Sequence, residues 1–105
     1  MVITVEAKGA REPNQIQAVY LEKLADELID RGLEAWLMAP PGRIPSLYVV
    51  NPAARALEES VVVACGKDGM WWFWRSWAER IAIADDIDQA AATIVRVLAS
   101  VRRQD

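Results

Sequence analysis

Hydrophobic residues along the chain follow a helical period at both ends and an extended pattern between them. From Gln15 to Arg31 apolar residues recur every three or four positions, and Gly32 follows where a left-handed C-terminal cap is expected. Asp86 and Gln89 form a capping-box pattern at the start of a final helix with its own apolar stripe. The pattern therefore predicts one helix near each end of the chain, with strands between them.

Extended runs fill the chain between the two predicted helices. Four strands are predicted, at residues 33–38, 47–50, 61–66 and 70 to about 80. Asn51-Pro52 resembles a helix start and predicts a short helical turn before the third strand. The order predicts a single α+β domain over residues 1–105: an antiparallel meander sheet of three to four strands, with both helices packed on one face. The weak alternation of residues 2–6 leaves open whether they form an edge strand.

Tryptophan is concentrated in the fourth predicted strand. Residues 70–77 hold four of the five tryptophans of the chain. Successive side chains of a strand point to opposite faces, so these rings cannot all enter one core. Asp68-Gly69 between two extended runs predicts a two-residue hairpin turn. Counting outward from that turn pairs Cys65 with Trp72 and Val63 with Trp74. The face that these residues share is nearly free of charge, so we assign it to the core beneath the helices.

The same register leaves a second aromatic face without cover. Two helices of about 10 Å diameter cover one face of a four-stranded sheet about 20 Å wide. Three aromatic rings of about 150–250 Å² each match or exceed the largest apolar patch of a typical monomer, about 300–600 Å². The expected binding residues are those on the uncovered face: Trp71, Phe73, Arg75 and Trp77.

Three uses of these aromatic residues are compatible with the sequence. A bulge or a different turn would shift the register by one residue and reverse every face assignment, which would make the rings structural only. A second copy or a partner protein would use tryptophan and arginine as interface residues. A small aromatic or sugar-like ligand would stack on the flat rings. The favoured function is a non-enzymatic protein-binding module, either a homodimer or a chaperone-like adaptor, and the alternative is a small-molecule binder.

Charge and composition argue against several other functions. The net charge of −3, with scattered basic residues, disfavours nucleic acid as a partner. No apolar run approaches the roughly 18 residues of a membrane span. Histidine is absent and Cys65 is the only cysteine, so we expect no catalytic residue, no metal and no cofactor. Cys65 is expected to be a small core residue, and the lone cysteine, with no signal-peptide pattern, favours a cytoplasmic protein.

Two resemblances add to these expectations. The block WFWRSWAERIA at residues 72–82, the Asp-capped alanine-rich helix after it and the LYVVNP run at 47–52 resemble a family of small actinobacterial proteins. No activity is attached to that family, so the likeness implies nothing catalytic. The order of elements is also similar to the α–β–β–β–α architecture of secretion-chaperone-like proteins. Members of that group commonly dimerise and hold partner proteins. The likeness rests on the order of elements alone, and a shared fold does not by itself indicate a function.

Overall fold

The computed structural model describes residues 13–75 and 79–99 of the chain. These residues form two helices and five strands. The helices are α1 (Pro13–Asp30) and α2 (Ile87–Ala99), and the strands are β1 (Glu34–Met38), β2 (Ser46–Val50), β3 (Glu58–Cys65), β4 (Trp71–Arg75) and β5 (Glu79–Ile83). The predicted α+β class is confirmed, but the sheet has five strands rather than three to four.

All five strands form one antiparallel sheet in the order β1-β2-β3-β4-β5, and both helices lie on the same face of it. α1 contacts β1, β2 and β3, whereas α2 contacts β5 and α1. The core between the layers is built from leucine, isoleucine and alanine of the helices and from one side of the strands. Its largest fully buried side chains are Phe73, Leu21, Leu24, Leu28, Leu47, Ile94, Val49, Val61 and Val63.

The fifth strand arises because the long run predicted as one strand from residue 70 to about 80 is two strands, β4 and β5. Gly, Pro and Asn are all absent between residues 71 and 83, so no strong turn signal divides the run. The predicted helical turn at residues 52–59 is also wrong. The chain there makes successive turns, in which Asn51 Oδ1 accepts the Ala53 N–H at 2.9 Å, and β3 already begins at Glu58.

The helix ends agree with the caps that the sequence predicts. Gly32 has a φ of 98°, and the Leu33 N–H donates to the Leu28 carbonyl at 3.0 Å, which is the six-to-one bond of a Schellman motif. At the start of α2, Asp86 Oδ1 accepts the Gln89 N–H at 3.1 Å. These local bonds fix where both helices stop and start without any contribution from the sheet.

The β3–β4 hairpin differs from the predicted one, and the difference reverses its two faces. The Gly66 N–H donates to the Met70 carbonyl at 2.8 Å, the Gly69 N–H donates to the Gly66 carbonyl at 3.0 Å, and Gly69 has a φ of 79°. This is a three-residue loop whose glycine occupies the left-handed position, instead of a two-residue turn. Val63 therefore pairs with Phe73 rather than with Trp74. A one-residue slip moves every side chain to the opposite face.

Replacing Phe73 by alanine tests this register. Phe73 is fully buried, so we expect Phe73→Ala to lower the free energy of unfolding by about 3–5 kcal/mol. Trp36 is 45% exposed, so Trp36→Ala is the matched control and should cost no more than about 1.5 kcal/mol, most of it from lost ring contact. Urea denaturation of both variants measures the difference. A larger loss for Trp36→Ala than for Phe73→Ala would contradict the register.

Candidate functional site

Three of the four predicted binding residues, Trp71, Phe73 and Arg75, lie on the helix side of the sheet, so their assignment to an open face is wrong. Phe73 has no exposed surface and meets the Tyr20 ring edge-on, with centroids 6.5 Å apart. Trp71 is half-buried, packs against the core, and lies 6.3 Å from the Tyr20 ring. The physical reason is the three-residue loop, which turns these two rings toward α1. Trp77 lies outside the described residues.

Arg75, the fourth predicted residue, also points to the helix side and is held there by two carboxylates. Arg75 Nη1 lies 3.0 Å from Glu59 Oε1, and Nη2 lies 2.9 Å from Glu79 Oε1. The Glu59 side chain is only 9% exposed, so this arginine compensates a nearly buried charge. Arg75 therefore has a structural role at the edge of the core and is not a free contact residue.

The sheet face opposite the helices carries aromatic side chains that no helix among the described residues covers. Cross-strand pairing puts Trp36 beside Tyr48 on β1 and β2, while Trp72 and Trp74 alternate with Phe73 along β4. Trp36 is 45% exposed, and the other three rings are half-buried by their neighbours. We call this surface the open face, and it contains two groups of residues.

The first group, the Trp74 cluster, consists of Trp72, Trp74 and Arg80. The register between β4 and β5 shifts by one residue between Phe73 and Trp74, so that Trp74 lies opposite Arg80. The Arg80 guanidinium carbon lies 4.3 Å from the centroid of the Trp72 ring and 5.7 Å from that of Trp74. A bulge thus directs a cation onto two indole rings, where cation–π attraction holds it.

Asp68 fixes the orientation of the Trp72 ring from the hairpin loop. Its Oδ1 accepts the Met70 backbone N–H at 3.0 Å, and its Oδ2 accepts the Trp72 indole N–H at 3.4 Å. The Met70 hydrogen bond is the main reason that the pKa of Asp68 lies below its ordinary value of 3.8. The hydrogen bond from the Trp72 indole and the charge of Arg80 lower this pKa further, so Asp68 is a carboxylate at neutral pH.

A cavity of about 470 Å³ adjoins the Trp74 cluster. Its lining residues are Cys65, Gly66, Lys67, Asp68, Trp74 and Arg80. Within the described part of the chain, the indole N–H of Trp74 is buried and has no hydrogen-bond acceptor. Two cations, one carboxylate and an indole ring therefore surround a space large enough for a side chain or a small planar molecule.

The second group, the Trp36 cluster, consists of Trp36, Tyr48 and Glu58. The rings of Trp36 and Tyr48 are 5.8 Å apart and tilted by 30°. The Tyr48 hydroxyl donates a hydrogen bond to Glu58, and this bond is the main cause that raises the pKa of Tyr48. Beside the cluster, Glu34 pairs with Arg55 at 3.1 Å. Tyr48 is consequently a neutral donor that holds the Glu58 carboxylate against the open face.

The two clusters carry opposite charge. Lys67 and Arg80 outnumber Asp68 around the Trp74 cluster, whereas Glu34 and Glu58 outnumber Arg55 around the Trp36 cluster. Within residues 13–75 and 79–99, Arg80 has no ion-pair partner, so its guanidinium edge is available to an acceptor. The open face is thus aromatic at both ends, acidic at one and basic at the other.

The sequence contained a signal for these residues, but it was ambiguous. Asp68-Gly69 fits a two-residue turn, and it equally fits a three-residue loop that ends in a left-handed glycine. The presence of Arg75 in the strand favoured the wrong choice, because a charged residue is expected away from the core. The pairing of Arg80 with Trp74 had no local signal, since it requires a bulge between separate strands.

Metal ligands, the single cysteine and a membrane-spanning helix are the other features that could indicate a function in the described residues. No group of three or more His, Cys, Asp or Glu side chains there could hold a metal ion. Cys65 is exposed beside the hairpin loop, so the expectation that it belongs to the core is wrong. Neither described helix is both long enough and apolar enough to span a bilayer. The Trp74 and Trp36 clusters are therefore the features from which a function is best argued.

Comparisons of the chain with protein-family models, curated proteins and solved structures found no match. The resemblance to small actinobacterial proteins and the likeness to secretion-chaperone-like architecture stay predictions.

Because Trp72 donates a hydrogen bond to Asp68, the lowered pKa of Asp68 should be visible in the NMR signal of the Trp72 indole. A carboxyl group whose pKa falls on folding stabilises the structure above its unfolded-state pKa, and this contribution disappears as pH falls through the folded-state pKa. The Trp72 indole N–H resonance should therefore titrate with a midpoint below 3.8, because protonation weakens its bond to Asp68. NMR between pH 6 and about 2 measures this shift.

Two variants separate the Asp68 effect from general acid unfolding. Asp68→Asn cannot ionise, so the Trp72 resonance should lose its titration, while Asp26→Asn on the exposed side of α1 should leave it unchanged. A midpoint at or above 3.8 in the unaltered protein would contradict the assigned hydrogen bonds.

Proposed function

We propose that this protein is a non-enzymatic protein-binding module whose open face contacts another polypeptide, as a homodimer or as a chaperone-like adaptor. One observation carries the proposal. Both helices cover the same face of the sheet, and the other face retains Trp36, Tyr48, Trp72 and Trp74 without a covering layer among the described residues.

The size of the open face supports a protein partner. Five strands at about 4.8 Å spacing and about 17 Å length give a footprint of about 400 Å². This footprint, part of which is occupied by charged side chains such as Glu58 and Arg80, is similar in size to the apolar patches of about 300–600 Å² that often mark interaction sites on monomers. Tryptophan, tyrosine and arginine are the side chains that dominate binding energy in protein interfaces. The composition of the two clusters matches that preference.

The rings are also held in place before any partner binds. Asp68 and Arg80 restrain Trp72 from two sides, and Glu58 restrains Tyr48. Ordering a long side chain at an interface costs about 0.5–1.5 kcal/mol, so rings that are already fixed lose less freedom on binding. This preorganisation favours a binding role over a purely space-filling one.

Photo-crosslinking in the cell of origin tests the proposal. A photoreactive phenylalanine analogue in place of Trp36 should form covalent adducts with a protein, because Trp36 is the most exposed ring of the open face. The same analogue in place of Lys23, on the exposed side of α1, is the matched control. Adducts at position 36 alone support the proposal. Absence of adducts, or equal adducts at both positions, would count against it.

The cavity beside the Trp74 cluster favours one second candidate, a small-molecule binder that uses the rings as a stacking platform. Lys67 and Arg80 would attract an anionic group, while Trp74 would stack on a flat ring. Titration with aromatic carboxylates, sugars and amines, followed by tryptophan fluorescence, measures this binding. A saturable change that Arg80→Gln removes would favour the candidate, and an unresponsive spectrum with all three classes would argue against it.

A further inference from the structure

We propose that the occupant of the open face is a second copy of this chain, placed so that the Trp36 cluster of each protomer contacts the Trp74 cluster of the other. This inference rests on the proposed function and names the partner. Its basis is that the two clusters complement each other in charge and in chemistry: one presents a carboxylate beside two rings, and the other presents a guanidinium beside two rings.

The positions of the clusters permit this arrangement. The Trp36 cluster lies on β1, β2 and the start of β3, whereas the Trp74 cluster lies on β4 and β5. Their centres are about two to three strand spacings apart across the sheet and about three to four residues apart along it, so the clusters lie at the two ends of a diagonal of the open face. A two-fold axis parallel to the sheet, perpendicular to the line between the clusters and midway along it, exchanges them. Each cluster of one protomer then faces the opposite cluster of the other, as an isologous interface requires.

The specific contact expected in this arrangement is an ion pair between Arg80 and Glu58 of the partner subunit, formed twice by symmetry. Within one protomer Arg80 has no ion-pair partner among the described residues, although its guanidinium is fixed over Trp72. Glu58 is exposed and uses Oε1 to accept the Tyr48 hydroxyl, which leaves Oε2 for an arginine. Both groups are therefore aligned before association.

The area of the open face indicates a weak dimer rather than a permanent one. Two footprints of about 400 Å² give an interface of about 800 Å², below the roughly 1,200 Å² at which standard-sized complexes begin. Trp36 and Met38 add exposed apolar surface at the β1 side. Sedimentation velocity over a dilution from about 500 to 5 μM should show a dimer that dissociates to a monomer.

Charge reversal tests the proposed contact. Arg80→Glu places two like-charged pairs in its own homodimer, and Glu58→Lys does the same, so each should raise the dimer Kd by at least about tenfold. An equimolar mixture of the two variants should restore association, because both cross-protomer pairs are then complementary. The double variant in one chain should also associate, for the same reason.

Matched controls are available on α1. Glu22→Lys and Lys23→Glu make the same charge changes at exposed positions away from the open face, and neither should alter the Kd by more than about twofold. Thermal unfolding at the lowest concentration verifies that Arg80→Glu and Glu58→Lys are folded. Because the mixture regains the contact only through complementary charges, a folding defect in one variant cannot produce the expected recovery.

The remaining outcomes overturn the inference in distinguishable ways. If the protein stays monomeric at the highest concentration while position 36 crosslinks to a different protein, the second copy is excluded and the proposed function stands. If a dimer forms but neither reversal weakens it, another surface mediates the contact. If each reversal weakens the dimer and the mixture does not recover, the two clusters do not face each other.

Discussion

The hydrogen bonds of the β3–β4 loop determine which aromatic residues this protein buries and which it presents. The Gly66 N–H donates to the Met70 carbonyl, the Gly66 carbonyl accepts the Gly69 N–H, and Gly69 adopts the left-handed conformation that closes the loop. Strand side chains alternate with a period of two. The length of this loop therefore places Phe73 on the helix side of the sheet, and Trp72 and Trp74 on the open face. If the loop were one residue shorter and the sequence of β4 were unchanged, the β4 side chains now in the core would lie on the open face, and those on the open face would lie in the core.

The register shift at the β4–β5 bulge places the charged residue of the Trp74 cluster. The shift after Phe73 leaves Ile81 as the extra residue and brings Arg80 opposite Trp74. Without the bulge Ile81 rather than Arg80 would lie opposite Trp74, and this end of the open face would lose its guanidinium. Combined with Asp68 on Trp72, the bulge gives a stacked cation and a bound carboxylate. The buried Trp74 N–H has no acceptor among residues 13–75 and 79–99, and a buried donor left without an acceptor costs about 1–3 kcal/mol.

Local signals made the helices and the fold class predictable, whereas pairing between strands was not. Leu24 and Leu28 repeat at helical spacing, and Gly32 and Asp86 cap helices through bonds to their near neighbours, so both ends could be read from the sequence. The open face could not be predicted from the sequence, because the length of one loop and the position of one bulge determine which residues lie on it. Gln17 shows the same limit: it lies in the core, where it donates to the Val63 carbonyl at 2.8 Å, and nothing near it in sequence indicates this bond.

The opposite charges of the two clusters bear on how such an apolar face could associate without forming fibres. A head-to-tail contact would use the Trp36 cluster of one copy and the Trp74 cluster of the next, leaving one of each free to continue the chain. A two-fold contact uses both clusters of both copies at once, so it closes. The closed form places Arg80 against Glu58 of the partner subunit twice, whereas a head-to-tail contact makes this pair only once per interface. A register that brings like clusters together would instead oppose Arg80 to Arg80 or Glu58 to Glu58. The charges would thus limit assembly to two copies, while the rings supply most of the attraction.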